Sequence, residues 1–337
     1  MRYRRQILWL FAGALLFAAL PVVFGNYGLY LGSALCVWII FALAYDLAFG
    51  RAGLLSFGHA MFFGVGAYAL ALLVLTLDWG FWPAITAAIV LAGAFALVLG
   101  KVALQVTGHA FVVITVIFSA ILELVAFSQK WITNGEDGLS FDLYRVPFGF
   151  AELDLRNANT KYWVLIAALF LTFLMLNWIN NSTLGLAFRA VRENPMRATL
   201  LGYPVQHYKL AAFGISGALS GLAGALFSLL SFHISAEVFQ ITVSINPLTS
   251  VLVGGAGTML GPVVGTTFIF LFSDYLRTLV VYADFAIGVI LVLTVLFAPQ
   301  GIVGLIERIK ARRRARTDNK AEASLSPNDE SIAETRS

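Results

Sequence analysis

The chain is poor in charge, cysteine and histidine, and each scarcity excludes a class of protein. Asp, Glu, Lys and Arg make up 12% of its 337 residues, against 60% hydrophobic. A soluble domain carries about 25% charge because its surface must be wet, so most of this surface must face lipid. The single thiol, Cys36, rules out a disulfide framework and a cysteine-based zinc site. The four histidines are scattered, and His59 and His109 lack the carboxylate or thiolate partners of a metal centre. G-x-x-x-x-G-K is absent: six residues separate Gly93 from Gly100-Lys101, at the end of an apolar run. The chain is therefore expected to bind no cofactor and no nucleotide, and any ATP that drives it sits on another polypeptide. No Ser/His/Asp or paired-acid arrangement stands out, which disfavours an intramembrane enzyme and leaves no catalytic residue to assign. The net charge of +4 is distributed as a membrane-orientation signal rather than a nucleic-acid patch.

What the chain does have is long apolar runs. A spanning helix needs about 20 mostly apolar residues. Such runs occupy 7–24, 29–49, 54–77, 81–100, 110–128, 162–179, 210–232, 262–280 and 283–298, with a shorter one at 244–258. The shorter run is either a short span or a re-entrant piece. Charge decides the parity. Arg2, Arg4 and Arg5 precede the first run, and Arg308, Lys310, Arg312, Arg313, Arg314 and Arg316 follow the last. The positive-inside rule places both termini in the cytoplasm, which requires an even number of crossings, hence ten. Alternate loops agree: Arg51, Lys101, Arg189, Arg192, Arg197 and Lys209 fall inside, and 129–161, with four basic and five acidic residues, falls outside. Arg277 is the exception, and Asp274 at i−3 is its expected partner. The first run is read as a retained membrane helix because no clear A-x-A cleavage site follows it. Residues 317–337 are polar, without aromatics, and are expected to be disordered.

Glycines sit inside the runs. Gly214, Gly217, Gly221 and Gly224 punctuate the seventh, where small residues let helix backbones approach closely. Small and polar residues accumulate in two further stretches. The first, 48–69, holds Ser56, Gly58, His59, Gly64 and Gly66; the second, 246–267, holds Gly254, Gly255, Gly257, Gly261 and Pro262. Irregular backbone at membrane depth is tolerated where it is buried in protein or lines a cavity. These residues are therefore candidates for helix breaks along a translocation path, with tight structural packing as the plainer alternative. Glu123, in the outer half of the fifth run, is a candidate substrate contact or else a helix-end acid. Asp46 is expected to pair locally with Arg51.

The loop 180–209 is the most informative. Ser182 or Thr183 is positioned to cap a helix whose Leu184, Phe188 and Val191 share a face, with Arg189, Arg192 and Glu193 opposite. Asn194 then caps a second short helix, Pro195 takes its first turn, Gly202 stops it and Pro204 prevents continuation. An eight-residue helix does not stand alone in water. Its careful capping suggests a docking element, with Met196 and Leu200 as apolar contacts and Arg197 as a polar one.

Six stretches, in order, carry a resemblance. They are LAYDLAFGRAGLLSFGHAMFFGVGAYA (43–69), TGHAFVVITVIFSAI (107–121), TNGEDGL (133–139), LGLAFRAVRENPMRATLLGYPVQHYKLAAFGISGALSGLAGAL (184–226), SVLVGGAGTMLGPVVGT (250–266) and FAPQGIVGL (297–305). Over roughly 30–305 the chain resembles the membrane permeases of branched-chain amino acid ABC importers, and among them the larger of the two permease types. The resemblance implies an all-α, polytopic permease of about ten membrane helices in a bacterial inner membrane. It divides the chain into an N-terminal membrane helix (1–28), a permease domain (29–306) with its coupling loop at 180–209, and a basic, then polar, cytoplasmic tail (307–337). It implies a second homologous permease, two cytoplasmic ATPase subunits that carry the ATP, and an extracytoplasmic substrate-binding protein as partners, with no nucleic acid. It also gives Arg192, Glu193, Asn194, Pro195, Met196, Arg197, Leu200 and Gly202 the role of docking on the ATPase. The same family includes permeases for urea, short amides and other amino acids, so the substrate stays open among these. A stand-alone channel or ion-coupled transporter would need carboxylates near the midplane, and Glu123 is the only candidate.

The charge pattern generates a topology prediction. In intact cells, a membrane-impermeant thiol reagent should label a cysteine placed at Asn157 and spare one placed at Asn194. Labelling at 194 would reverse the orientation.

Overall fold

The computed structural model describes residues 25–143, 145–148, 151–279, 288–289 and 301–305. The expected spans at 7–24 and 283–298, nearly all of the 1–28 segment and the 307–337 tail lie outside these residues, as does the side chain of Arg277. Within them the chain is helical almost throughout. Six helices are long and apolar enough to cross a membrane: α1 (Gly25–Arg51), α2 (His59–Leu77), α3 (Phe81–Ala103), α4 (His109–Ser128), α6 (Ala158–Asn181) and α9 (Val205–Ser231). One turn, α5 (Lys130–Thr133), follows α4; α7 (Thr183–Glu193) and α8 (Pro195–Leu200) lie between α6 and α9; α10 (Ile241–Gly254) and α11 (Gly261–Leu279) come last.

The centre of the fold is α9, packed against α2 and α3 through glycine. A Cβ at Gly217 would overlap that of Ala96, and one at Gly221 would overlap that of Ala92, both on α3. On the α2 side, Gly66 lies on the Gly221 backbone and Gly224 on that of Phe63. Lipid offers helices no hydrophobic drive to associate, so this close approach, with its dispersion contacts, holds the three helices together. Aromatic rings join α1 to the same unit: Trp38 stacks on Phe63 at 6.0 Å, and Phe227 of α9 approaches Phe63 at 5.4 Å.

Two ends can be distinguished. At one, the basic end, Arg192 of α7 reaches Gly50 at the close of α1, and Lys209, His109, Gly53 and Leu104 border a common crevice. At the other, β1 (Leu139–Ser140) pairs antiparallel with β4 (His233–Ile234), and β2 (Arg145–Phe148) pairs with β3 (Ala151–Asp154). The TNGEDGL stretch forms the turn that presents β1. Asn134 takes a left-handed conformation, and its side-chain amide donates to the Gly138 carbonyl at 2.9 Å. The indole of Trp82 donates to Pro147 O at 2.7 Å and ties this hairpin end to the start of α3. The loops that charge assigns to opposite sides thus fall at opposite ends. The two small sheets are an addition to the all-α expectation; their alternation is too short to register in the sequence.

Two boundaries differ from expectation. The run 54–77 is not one helix: α2 starts at His59, and 52–58 is non-helical. His59 sits beside Ala44 and Ser216, each about 10–16 Å along its own helix from the basic end, so this irregular segment reaches into the bundle. The short run resolves into α10, whose 14 residues span about 21 Å. A 3₁₀ turn (Ala236–Phe239) precedes it. Because β4 lies at the hairpin end and Gly257 touches Asp46 at the basic end, the chain does cross between 234 and 255.

The glycine contacts make a stability prediction. Gly224→Leu should lower the thermal midpoint of the detergent-solubilised protein sharply, since overpacking costs about 1–3 kcal/mol or more. Gly80→Ala is the control, because a Cβ there meets nothing within 4 Å. Equal midpoints for the two variants would contradict the packing.

Candidate functional site

The basic end brings together three interruptions of the backbone. The last turn of α1, Leu47–Arg51, is a π-helix, a form that widens the turn and frees carbonyls. The link 255–260 separates α10 from α11, and the short helical piece 301–305 lies against it, Gly301 resting on the Gly255 backbone. Asp46 holds these together. Its Oδ1 accepts from the Gly257 amide at 2.7 Å, and its Oδ2 lies 3.5 Å from Arg51 Nε. Both side chains are nearly buried, at 3% and 10% exposure. Removing one partner of such a pair strands a buried charge, at a cost of roughly 3–5 kcal/mol. Arg192 completes the junction by donating from Nη1 to the Gly50 carbonyl. Gly257 must be glycine on two counts: its φ is +80°, and a Cβ would fall on the Arg192 guanidinium and the Gly50 carbonyl.

From this junction hangs the segment α7–α8. Phe188, Val191 and Ala187 are buried, and they anchor α7. Leu184, expected on the same face, is 38% exposed; its neighbour Gly185 is pressed against Asn180 instead. Arg189 folds back to donate to the carbonyls of Asn180 and Gly185, satisfying the end of α6. Ser182 precedes α7 but donates to Ile179 O rather than capping the new helix. Asn194 does cap α8: its side-chain oxygen accepts from the Arg197 amide at 2.9 Å. Pro195 stands at the first position, and Gly202 follows the helix with φ +85°. Met196, Leu200 and Leu201 project outward, 73%, 80% and 76% exposed. Glu193 and Arg197 are exposed beside them. Arg192, itself exposed, sends its guanidinium to Gly50 from a segment whose apolar side chains face outward.

The interior break at 52–58 is closed by side chains. Tyr45 donates to Ser56 O at 3.0 Å, Ser56 Oγ accepts from the Gly58 amide, and Thr115 Oγ1 accepts from the Phe57 amide. Ser244 of α10 accepts from Ala60 N at 2.7 Å, in the first turn of α2. Ser216 spends its hydrogen on Ala44 O, so it accepts from Nε2 of His59, which places a proton on that nitrogen. His59 is wholly buried among Tyr45, Phe62 and Phe213.

The remaining candidates are close-packed within the chain. Gly58 lies on the Thr115 backbone, Gly64 on the ring of Phe239 and Gly66 on Gly221. Gly254 meets the Gly261 carbonyl, and Gly261 meets that of Gly255. Pro262 is buried at the second position of α11, where no amide hydrogen is needed. Glu123 is half-buried on α4, one turn beyond Ser119, whose hydroxyl bonds Phe239 O. Sequence reasoning anticipated the Asp46–Arg51 pair but missed its tie to Gly257, 211 positions away, for which no local signal exists.

Comparison with known proteins agrees with this architecture. A family model described as branched-chain amino acid transport system, permease component, matches residues 28–297. The high-affinity branched-chain amino acid transport system permease protein LivM of Escherichia coli is 26% identical over 319 residues, covering 89% of this chain and 75% of that protein. LivH of the same organism is 26% identical over 294 residues, covering 82% and 93%. A probable LivH of Methanocaldococcus jannaschii is 29% identical over 174 residues, covering 48% and 54%. No solved structure matches. The chain is a multi-pass membrane protein, and with four-fifths of its length inside the match it belongs to the family of branched-chain amino acid transport permeases.

Proposed function

We propose that this chain is the larger permease subunit of an ATP-driven importer that carries branched-chain, hydrophobic amino acids across a bacterial inner membrane. It pairs with a second homologous permease. Two ATPase subunits bind at the basic end, which faces the cytoplasm with both termini, and an extracytoplasmic binding protein delivers substrate at the hairpin end. The chain itself holds no ATP. The names of the LivM and LivH relatives support the substrate class and the pairing of two permeases. The positive-inside rule supports the orientation.

One observation carries the coupling role: α7–α8 is apolar outward and fastened inward. Met196, Leu200 and Leu201 offer a partner about 1.5–3 kcal/mol each on burial. Arg197, Glu193 and the capped geometry of Asn194, Pro195 and Gly202 present them. Arg192 belongs to the same segment but serves transmission. A push on α8 reaches the Gly50 carbonyl through Arg192 and, through Asp46 and Gly257, the α10–α11 link. Gly58, Gly64, Gly66, Gly254, Gly255, Gly257, Gly261 and Pro262, with Ser56 and His59, shape the path from behind by fixing how closely helices approach. Glu123 is kept as a substrate contact on the outer part of α4.

The assembled transporter in proteoliposomes tests this. Leu200→Asp should strip the ATPase subunits from the purified complex. Arg192→Ala should retain them and continue to hydrolyse ATP, while leucine uptake falls about tenfold, the loss of one charge-assisted hydrogen bond. ATPases that stay bound in the first variant would remove the docking assignment. Normal uptake in the second would remove the transmission assignment.

A further inference from the structure

A cavity of about 300 Å³ lies between α1, α9, α10 and α11, away from the basic-end junction. That volume is at the small end of ligand sites and suits a single amino acid. Its lining has two characters. Trp38 and Leu31 of α1 and Phe227 and Leu230 of α9 give an apolar wall. Opposite them, Thr266, Ser273 and Asp274 of α11 contribute polar groups at i, i+7 and i+8, one face of the helix. Pro247 of α10 also borders it and, lacking an amide hydrogen, leaves the Val243 carbonyl one turn back without its helix donor.

Two of these groups are unusual for membrane depth. Thr266 is 3% exposed, and its Oγ1 has no hydrogen-bond partner among the described residues. Other threonines in the spans return the hydroxyl to their own helix: Thr267 donates to Val263 O, Thr172 to Ala168 O and Thr249 to Asn246 O. Thr266 does not, and it borders the cavity. An unmade bond of this kind is costly, so one left open beside a cavity marks a ligand contact. Asp274 stands 13 residues into α11, about 20 Å from the basic end. Tyr27 donates to its Oδ2. A carboxylate accepts at both oxygens, and among the described residues Oδ1 has no partner and is open to a cation. The cavity thus offers an anion and a hydroxyl, about 12 Å apart along α11, together with an aromatic wall.

Resting on the importer reading above, we propose that this cavity is a low-affinity contact site for the transported amino acid. Asp274 takes the substrate ammonium, Thr266 meets the carboxylate end across a bridging water, and the aliphatic side chain lies against Trp38 and Phe227. Low affinity follows from the single charge offered to a zwitterion: full desolvation of both charges requires two partners. It suits a subunit that must release what it receives.

The test uses the complete transporter, with binding protein, in proteoliposomes that take up radiolabelled leucine. Leucinamide keeps the ammonium and loses the carboxylate; 4-methylpentanoate keeps the carboxylate and loses the ammonium. Both are loaded on the inner side, where the binding protein does not meet them, and scored by inhibition of uptake. Leucinamide should inhibit and 4-methylpentanoate should not. Asp274→Asn should abolish that difference and weaken leucinamide about tenfold, or 1.4 kcal/mol. Thr266→Val, which keeps shape, should weaken leucinamide less, with ATP hydrolysis retained. Unchanged inhibition in both variants, with uptake intact, overturns the cavity assignment and leaves the importer reading standing. So does equal loss in Asp274→Asn and Arg277→Gln with the inhibitor difference preserved, since that is the behaviour of a structural ion pair. A parent transporter that carries no branched-chain amino acid fails the importer reading itself.

Discussion

In hydrocarbon an unpaired backbone amide or carbonyl costs several kcal/mol, and this constraint governs where the chain can leave the helical state. Among the described residues it leaves that state at three places between the spans, and each is held by specific side chains. Tyr45, Ser56 and Thr115 seal 52–58; Ser119 holds the carbonyl of Phe239 ahead of α10; Asp46 and Thr258 hold the amides of Gly257 and Gly261. These polar residues are thus placed by the backbone's needs. Two serines illustrate the economy: Ser244 accepts from the first turn of α2, and Ser216 bridges α1 to α2 through Ala44 and His59. The breaks are stable because helices that are distant in sequence complete one another.

The same logic explains why the α7–α8 segment is joined to α1 through a carbonyl rather than a carboxylate. The π-turn of α1 leaves the Gly50 carbonyl outside the regular ladder, and a guanidinium satisfies it from a second element. Asp46 performs the reciprocal service for the Gly257 amide. One donor and one acceptor, both on backbone, bind α7, α1 and the α10–α11 link into a single mechanical contact. Substitution of a side chain at Gly50 or Gly257 would displace the other two parties at once.

Legibility from sequence followed the range of the interaction. The α8 cap was readable because Asn194, Pro195 and Gly202 act on their own neighbours in the chain. Pro262 at the start of α11 was readable for the same reason. Apolar runs gave the spans, but run 54–77 hid a non-helical start: Leu54 and Leu55 are apolar whether helical or extended, and hydropathy is blind to that difference. Leu184 went astray by a similar ambiguity, since helical spacing permits a buried face centred on either Leu184 or Ala187, and the contact of Gly185 with Asn180 decides it. The inward turn of Arg192 and the reach of Asp46 to Gly257 depend on how whole helices meet, and no local pattern encodes that.

The glycine seams around α9 carry a mechanical consequence. Where Gly66, Gly221 and Gly224 bring backbones into contact with Ala92 and Phe63, no free volume remains for sliding. The α2–α3–α9 unit must then behave as a stator. The α10–α11 pair is tied to the other helices chiefly through hydrogen bonds at Ser244, the Gly257 amide and Asp274 rather than through such a seam. The cavity beside Trp38 and Thr266 lies along the line between these two halves. Its volume is accordingly the quantity that any relative displacement changes first: a small rocking of α10 and α11 against the stator would squeeze or dilate it, as a piston works against a fixed wall.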